Sequence, residues 1–264
     1  MHKTVAIIPA RYASTRLPGK PLARIAGKPM ILHVVERACS ISALNEVVVA
    51  TDDERILECV QHAGYKAVLT ASVHSSGTDR VAEAARILGF AANDIVVNIQ
   101  GDQPFLHSDA VMAMLDLISS DETLHMTTAA CPMKLEDVSN PNKVKVVLDK
   151  KGMALYFSRS VIPFDRDGQA HALCTIKRPD AAALFQGHGY LRHLGLYAFR
   201  MSFLQEFVQL GPSFLEQMEC LEQLRALENG YAIGVVKVKD APLEIDTPED
   251  LQAANRMMAE PSLD

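Results

Sequence analysis

The chain of 264 residues is 48% hydrophobic and 22% charged, and its net charge is −6 at pH 7. This length supplies one large domain or two small ones, and the composition is ordinary for a packed globular protein. The acidic balance argues against a general nucleic-acid binder, and no apolar stretch is long enough for a membrane span or a signal peptide. We therefore expect neither nucleic acid nor a membrane as a partner.

The first half of the sequence alternates short apolar, β-branched runs with amphipathic segments. The runs predict strands over residues 4–9, 46–51, 67–70 and 95–100, and the 3.6-residue stripes predict helices over 29–38, 54–63 and 78–88. This alternation predicts an α/β fold with a mostly parallel sheet and helices on both faces. Because the carboxyl ends of parallel strands share one edge, we expect Arg11, Asp52 and residues 100–102 to converge.

The second half of the sequence is richer in strand signals. The runs 144–149 and 153–157 flank Lys150-Lys151-Gly152 and predict a hairpin. Further predicted elements are a long surface loop over 165–190, strands over 193–200 and 231–238, and helices over 214–228 and 248–257. We interpret 1–134 as the part with the parallel sheet, 135–215 as a smaller strand-rich lobe and 216–264 as a returning segment of one unit.

A loop rich in cations follows the first predicted strand, where residues 9–20 read PARYASTRLPGK. Arg11, Arg16 and Lys20 suit a polyphosphate, because open α/β sheets bind ligands at this edge and arginine grips phosphate with a fork of donors. The loop is neither a Walker A motif nor G-x-G-x-x-G. Its chemistry alone leaves a phosphate site and a solvated basic loop equally open.

Two aspartates stand where the sequence predicts loops at strand or helix ends. Asp102 ends the segment NIQGD, and Asp246 precedes a helix start at Thr247 and Pro248. Such residues are most often turn or capping residues. A metal role depends on position, because Mg²⁺ is bound by one or two carboxylates together with phosphate and water. Both interpretations stay open at this point.

The cysteines give no sign of a metal site or of a disulfide framework. All five lie far apart and form no C-x-x-C pair; they are Cys39, Cys59, Cys131, Cys174 and Cys220. This pattern is typical of small buried or half-buried thiols in a reducing compartment, so we expect a cytoplasmic protein.

The chain resembles a known family of enzymes along its whole length. The cationic loop follows the pattern A-R-x-x-S-x-R-x-P-x-K, which opens members of the sugar-nucleotidyltransferase superfamily. Within it the resemblance is to the 3-deoxy-manno-octulosonate cytidylyltransferases. The segments that carry it, in family order, are IIPARYASTRLPGKPL, SGTDRVAE, NIQGDQP, NPNKVKVVLD, ALYFSR, IPFDRD, HLGLYAFR, LEQLRAL and IDTPEDL.

The resemblance implies a Rossmann-like nucleotidyltransferase fold and a specific reaction. In that reaction the anomeric hydroxyl of 3-deoxy-D-manno-octulosonate (Kdo) attacks the α-phosphate of CTP, which gives pyrophosphate and CMP-Kdo for lipopolysaccharide synthesis. It also implies nucleotide binding by 1–134, sugar binding and dimerisation by the strand-rich lobe 135–215, and a second metal ligand in 216–264. Mg²⁺ is the implied cofactor, and a homodimer joined through that lobe is the implied assembly.

The resemblance further implies roles for individual residues. Nucleotide binding falls to Ala10, Arg11, Ser14, Arg16, Lys20, Ser76, Gly77 and Arg80. Sugar binding falls to Gln100, Arg159, His193, Tyr197 and Glu222. Asp102 and Asp246 are implied as the metal ligands, and together with Arg11 and Lys20 they form the implied catalytic set.

Three positions depart from the family pattern. Gln103 stands where glutamate is common, Phe164 stands where tryptophan is common, and APLEI precedes Asp246 in place of a glycine-containing turn. None removes an implied ligand, but they leave room for a modified sugar such as an 8-amino analogue. The alternatives are therefore a cytidylyltransferase for 8-amino-Kdo or a nonulosonic acid, and a non-catalytic nucleotide-binding module. A glycosyltransferase should carry D-x-D, which Gln100-Gly101-Asp102 is not.

Overall fold

The computed structural model describes residues 2–14, 17–74, 76–166 and 189–259. The chain forms two compact units. The first comprises Met1–Leu115, Leu196–Gln209 and Pro242–Asp264, and the second comprises Asp116–Gly195 and Leu210–Ala241. The functional division at residues 134 and 215 stays a prediction. Most of the loop predicted over 165–190, including Cys174, lies outside the described residues.

The helices and strands are numbered in chain order. The strands are β1 Thr4–Ala10, β2 Arg24–Ile25, β3 Lys28–Pro29, β4 Glu46–Thr51, β5 Lys66–Leu69, β6 Ile95–Asn98, β7 Met126–Pro132, β8 Lys145–Leu148, β9 Ala154–Ser158, β10 Leu191–Arg200 and β11 Ile233–Lys237. The helices are α1 Met30–Cys39, α2 Glu54–His62, α3 Gly77–Ile87, α4 Ser108–Ser120, α5 Met201–Phe207, α6 Phe214–Glu219, α7 Leu224–Glu228 and α8 Pro248–Ala259. None of the helices within the described ranges has the length and apolar character needed to cross a membrane.

The strands predicted in the first half form the sheet of the first unit. β1 pairs in parallel with β4 and with β6, and β4 pairs in parallel with β5. The last residues of β10 add an antiparallel strand, with Tyr197 opposite Asn98 and Arg200 opposite Ile95. The strand order in this unit is β10-β6-β1-β4-β5. This arrangement confirms the predicted α/β class with a mostly parallel sheet.

The core of the first unit follows from the apolar patterns. Val5, Ala6, Ile7 and Ile8 of β1 are fully buried, as expected for a continuous apolar run in a central parallel strand. α1 buries one stripe of its surface, comprising Met30, Ile31, Val34, Val35 and Ala38. The ordered strands and helices fix the loops that follow them, and those loops carry most of the predicted site residues.

The second unit contains the predicted hairpin. β8 and β9 pair antiparallel, β8 also pairs with the start of β10, and β11 pairs in parallel with β7. Lys145 of β8 is fully buried, and its Nζ donates to the carbonyl oxygens of Asn140 at 3.1 Å and Arg159 at 2.6 Å. Burial lowers the pKa of Lys145. This lysine therefore joins the hairpin to its flanking loops.

The helix predicted over 214–228 is wrong, because the chain forms two short helices there. Cys220 between them has φ 51° and ψ 50°, which ends α6 in a left-handed residue. The apolar spacing was misleading, since Phe214 and Met218 are each 69% exposed. The break lets Arg225 donate to Glu216 at 2.8 and 2.5 Å, whereas nine residues along one helix would separate them by roughly 14 Å.

Candidate active site

A pocket of about 300 Å³ lies in the first unit, at the carboxyl ends of β1 and β6. It is lined by Pro9, Ala10, Arg11, Ser14, Lys20, Pro21, His74, Ser76, Gly77, Arg80, Gln100, Gly101, Asp102 and Asp246. This edge is where open α/β sheets bind ligands. The lining includes every residue of the implied nucleotide-binding and metal-binding sets except Arg16, which lies outside the described residues.

The loop after β1 is held in place at Tyr12. The N–H of Gly19 donates to the carbonyl of Tyr12 at 3.2 Å, and Gly19 has φ 65°. A Cβ at position 19 would lie 3.1 Å from the Tyr12 ring, so glycine is needed there. The Arg55 guanidinium lies 3.3 Å from the centre of the Tyr12 ring and also donates to both carboxylate oxygens of Asp53. The loop is thus anchored to the start of α2.

Lys20 lies between two carboxylates. Its Nζ is 2.6 Å from Oδ2 of Asp102 and 2.8 Å from Oδ1 of Asp246. Burial lowers the pKa of Lys20, but the charges and hydrogen bonds of the two aspartates outweigh burial and raise that pKa above its usual value. The ammonium is therefore charged at neutral pH, and the two carboxylates converge on one point as ligands of a cation do.

The turn before α8 places Asp246 beside Asp102. Ile245 is fully buried in a cluster with Ile25, Met30 and Ala254, and its N–H donates to the carbonyl of Asp102 at 3.1 Å. Packing of Ile245 thus fixes the position of Asp246, the next residue. This hydrogen bond joins two segments that are more than 140 residues apart in the sequence and were implied together as the source of the metal ligands.

The same turn is fastened by polar groups. Asp250 accepts hydrogen bonds from the backbone N–H groups of Asp246 and Thr247 at 3.0 and 2.9 Å, and its own N–H donates to Oγ1 of Thr247. Thr247 therefore has the capping role that the sequence predicts. Nε2 of Gln103 lies 3.4 Å from Oε1 of Glu244, so two departures from the family pattern are neighbours here.

The donor set of Asp102 and Asp246 fits a hard divalent cation. Both side chains supply carboxylate oxygens, the ligands that Mg²⁺ prefers, and both are directed at one point. Within the described ranges no three His, Cys, Asp or Glu side chains form a cluster that could hold a metal. A cation at this point would therefore complete its coordination with phosphate and water, as Mg²⁺ does in nucleotide sites.

The start of α3 forms another wall of the pocket. Oγ of Ser76 accepts the N–H of Asp79 at 3.1 Å and caps the helix. Arg80 is only 4% exposed, and it donates to Oγ1 of Thr70 at 2.6 Å and to Oδ2 of Asp52 at 2.9 Å. Arg11 and residues 100–102 line the pocket, as predicted, whereas Asp52 pairs with Arg80, which lines it.

His74 also lines the pocket, although sequence reasoning did not single it out. Its Nε2 is 2.5 Å from Oε2 of Glu83, which also accepts the N–H of Ala71 at 2.8 Å. The hydrogen bond from His74 lowers the pKa of Glu83, so the carboxylate is ionised at neutral pH. The sequence signal was a histidine and a glutamate flanking the segment SGTDR.

The implied sugar-binding residues belong to both units. Gln100 and Tyr197 lie in the first unit, and Arg159, His193 and Glu222 lie in the second. Gln100 lines the pocket described above. Tyr197 is 4% exposed and packs with its ring centre 5.9 Å from that of Phe199.

Arg159 and His193 are both occupied by protein groups. The guanidinium of Arg159 donates to the carbonyl oxygens of Glu219 at 2.7 Å, Pro141 at 3.0 Å and Cys220 at 3.2 Å. Nε2 of His193 is 2.9 Å from Oγ1 of Thr128, and burial lowers the pKa of His193 to about 3. His193 is therefore neutral in the folded protein, and a sugar-binding role for these residues stays a prediction.

Comparisons with known proteins agree over nearly the full chain. Residues 5–238 match a family described as cytidylyltransferase. The chain is 49% identical over 259 residues to a 3-deoxy-manno-octulosonate cytidylyltransferase of Syntrophobacter fumaroxidans, with 98% of each chain covered. It is 48% identical over 253 residues to the protein of that name from Idiomarina loihiensis, with 95% of this chain and 96% of the relative covered.

One solved structure gives the same result, and another shares the fold. The structure of CMP:2-keto-3-deoxy-manno-octonic acid synthetase complexed with CTP matches with a TM-score of 0.86 and 40% identity, over 97% of this chain and 98% of that chain. A cytidylyltransferase from Leptospira borgpetersenii matches with a TM-score of 0.60 and 17% identity, over 97% of this chain and 86% of that chain. The second similarity concerns the fold alone.

Proposed function

Because the chain belongs to the cytidylyltransferase family, we propose that it transfers CMP from CTP to the anomeric hydroxyl of Kdo and releases pyrophosphate. The observation that carries the proposal is one pocket that combines cations suited to a triphosphate with two convergent carboxylates. The product, CMP-Kdo, would serve lipopolysaccharide synthesis. A cytoplasmic location is part of the proposal, since CTP is a cytoplasmic nucleotide.

The cations of the pocket are assigned to the triphosphate. Arg11 and Lys20 would bind the β- and γ-phosphates, with Ser14 on the same loop, because all three line the pocket. Ser76 and Gly77 would meet the cytosine, which is small enough to be bound by backbone groups. Arg80 would hold that wall through its buried contact with Asp52.

The reaction depends on how the protein positions CTP and Kdo, and it needs no covalent catalysis by a side chain. A bond forms between the anomeric oxygen of Kdo and the α-phosphorus, and the hydroxyl proton passes to water. The bond from that phosphorus to the bridging oxygen breaks, so pyrophosphate leaves with the electron pair. Enzymes accelerate such transfers by orientation and by stabilising the developing charge. Arg11 and Lys20 would stabilise the leaving pyrophosphate, and no nucleophilic side chain is needed.

Asp102 and Asp246 would hold Mg²⁺ together with phosphate oxygens and water. Their convergence within 2.6 and 2.8 Å of a single nitrogen supports this assignment. The bound cation would neutralise phosphate charge and lower the pKa of the attacking hydroxyl. The chain's own contribution is to keep both carboxylates on one point, through the buried Ile245 and the hydrogen bond from the N–H of Asp246 to Asp250.

Sugar-binding roles are proposed for Gln100 and Tyr197 in the first unit and for Arg159, His193 and Glu222 in the second. Gln100 lines the pocket with Asp102, which supports its place near the reacting hydroxyl. Arg159 would pair with the sugar carboxylate as a fork. Since its nitrogens already donate to three backbone carbonyls, this pairing would share or replace one of those bonds.

A homodimer joined through the strand-rich lobe completes the proposal. The described residues of this lobe, 135–215, include large exposed apolar side chains, namely Leu155 at 61%, Phe164 at 84% and Phe214 at 69%. Exposed apolar side chains of this size support an interaction surface, and symmetric pairs are the commonest oligomers. Sedimentation showing an active monomer at micromolar concentration would refute this part.

An assay of pyrophosphate release tests the function. We expect release with CTP, Kdo and Mg²⁺, and little with ATP, GTP or UTP. Comparing Kdo with its 8-amino analogue and with a nonulosonic acid identifies the preferred sugar. A protein that binds CTP but releases no pyrophosphate with any of these sugars would be a nucleotide-binding module and not a cytidylyltransferase.

A further inference from the structure

One lysine occupies the point at which the two aspartates converge. Nζ of Lys20 donates to Asp102 at 2.6 Å and to Asp246 at 2.8 Å, and the Lys20 side chain is only 14% exposed. An ammonium group has three donors, and two of them are used by these carboxylates. The pair of acidic residues is thus neutralised by a cation that belongs to the chain itself.

This contact conflicts with the two roles that the proposed function gives to the same residues. Lys20 is assigned to phosphate, and the aspartates are assigned to a divalent cation. Carboxylate oxygens bind Mg²⁺ at about 2.0–2.1 Å, so a cation shared by both side chains needs the space that Nζ fills. Two cations in that space would repel each other. Both roles therefore require Lys20 to change partners.

We propose that Lys20 holds the metal position until a divalent cation enters, and that its ammonium then moves to the phosphates of CTP. The phosphate half of this exchange rests on the proposed function. A displaced ammonium needs new acceptors, and CTP supplies them. The metal should therefore bind weakly by itself and more tightly with CTP, and by linkage the metal should favour CTP to the same degree.

The structure allows this exchange to take place within one side chain. The backbone at Lys20 is fixed, since its N–H donates to the carbonyl of Leu17 at 3.1 Å and the residue begins a short 3₁₀ turn. The four-carbon stem of lysine carries rotatable bonds that let its charge move without the backbone. Arg11 and Ser14 line the same pocket, so phosphate bound by them would lie along the same wall.

Binding of Mn²⁺ to the full chain without nucleotide tests the proposal, with free Mn²⁺ followed by electron paramagnetic resonance. Lys20→Met removes the ammonium and keeps an unbranched side chain, and we expect the Kd for Mn²⁺ to fall at least about tenfold, within the usual range of coupling between sites. Adding Asp102→Asn to Lys20→Met should abolish the gain. Thermal unfolding checks that each variant folds.

Arg11→Met is the matched control, because it removes one positive charge from the same pocket. We expect it to change the Kd for Mn²⁺ by less than about threefold, a smaller effect than direct displacement gives. If Arg11→Met tightened Mn²⁺ binding as much as Lys20→Met does, the loss of any positive charge in the pocket would explain the result. That outcome would overturn the proposal. So would a Lys20→Met protein that binds Mn²⁺ no more tightly than wild type.

A second measurement uses the wild-type chain, so folding of a variant does not enter. The rate at which an amine-reactive ester labels Lys20, read by mass spectrometry, should rise several-fold with Mn²⁺ and fall again when CTP is added. Lys28, paired with Glu36 at the surface, is the internal reference and should not respond. Equal rates of Lys20 labelling with and without Mn²⁺ would contradict the exchange.

These experiments separate the exchange from the proposed function. The Mn²⁺ titrations contain neither CTP nor Kdo, so their outcome does not depend on catalysis. If no pyrophosphate is released but Lys20→Met still lowers the Kd for Mn²⁺ as expected, the function is refuted and the metal half of the exchange stands. Normal pyrophosphate release, together with a Lys20→Met protein that binds Mn²⁺ no more tightly than wild type, would refute the exchange and leave the proposed function standing.

Discussion

The pocket of the first unit and the implied sugar residues of the second unit differ in what their charged groups bind. In the pocket, Lys20 binds two carboxylates, which are groups that a metal ion and phosphates can replace. In the second unit, Arg159 binds backbone carbonyls, and His193 is buried and neutral. The comparison suggests that substitutions in the pocket should affect turnover, whereas substitutions in the second unit should also affect folding.

Asparagine at either metal position should give the largest effect on turnover. We expect Asp102→Asn and Asp246→Asn each to lower kcat at least about 100-fold, the scale seen when charge stabilisation of a transition state is lost. Thermal stability should change little, because both carboxylates are partly exposed. Asp121→Asn, in an exposed turn of the other unit, is the matched control and should keep normal kcat. Normal turnover in either pocket variant would make that aspartate a turn or capping residue only.

Alanine at the cationic positions should give the next largest effect. We expect Arg11→Ala and Lys20→Ala to lower kcat/KM for CTP at least about tenfold, because each should lose a charge-assisted bond to phosphate. The KM for Kdo should stay nearly unchanged. Steady-state kinetics with each substrate varied in turn provide the check, and a defect confined to Kdo would contradict the assignment of both residues to the triphosphate.

Arg159→Ala should lower the stability of the protein, in contrast to the substitutions in the pocket. Loss of the three guanidinium bonds to carbonyl oxygens should lower the free energy of unfolding by about 2 kcal/mol, as for hydrogen bonds to charged groups, and should raise the KM for Kdo. Urea denaturation gives the first quantity. Lys150→Ala, in the exposed hairpin turn, is the control. A stable variant with a normal KM would remove Arg159 from both roles.

The buried His193 should make stability depend on pH in a defined direction. Its pKa is about 3 in the folded protein and about 6.5 when unfolded, so below pH 6.5 only the unfolded chain gains the proton. Stability from this residue is complete above pH 6.5 and is lost as pH falls towards 3. Between pH 7.5 and 5 the loss should be about 2 kcal/mol. Urea denaturation of His193→Gln should show a smaller difference between these pH values; an unchanged difference would mean that other groups cause it.

The sequence predicted the parallel sheet and most of the pocket because local patterns carry that information. The apolar run of β1 predicts a buried strand, and a strand end predicts where the cationic loop lies. The contact of Lys20 with Asp102 and Asp246 could not be predicted, because the partners are 82 and 226 residues away. Only tertiary packing, here the burial of Ile245, brings these residues to one point.

Two failures of prediction have other physical causes. Apolar spacing over 214–228 indicates a helix but does not reveal the left-handed residue Cys220, since nothing in the local pattern marks a non-glycine residue with positive φ. His74 was missed because a single histidine before a helix has many roles. Its pairing with Glu83 became visible only when α3 placed the two side chains together.

Simultaneous measurement of CMP-Kdo and pyrophosphate, with and without a chelator, tests the central claim most directly. With CTP, Kdo and Mg²⁺, we predict the two products in equal amounts, and we predict that excess chelator stops both while the protein stays folded. Binding of CTP without either product, or turnover that continues unchanged in excess chelator, would contradict the account of a metal-dependent cytidylyl transfer at Lys20, Asp102 and Asp246.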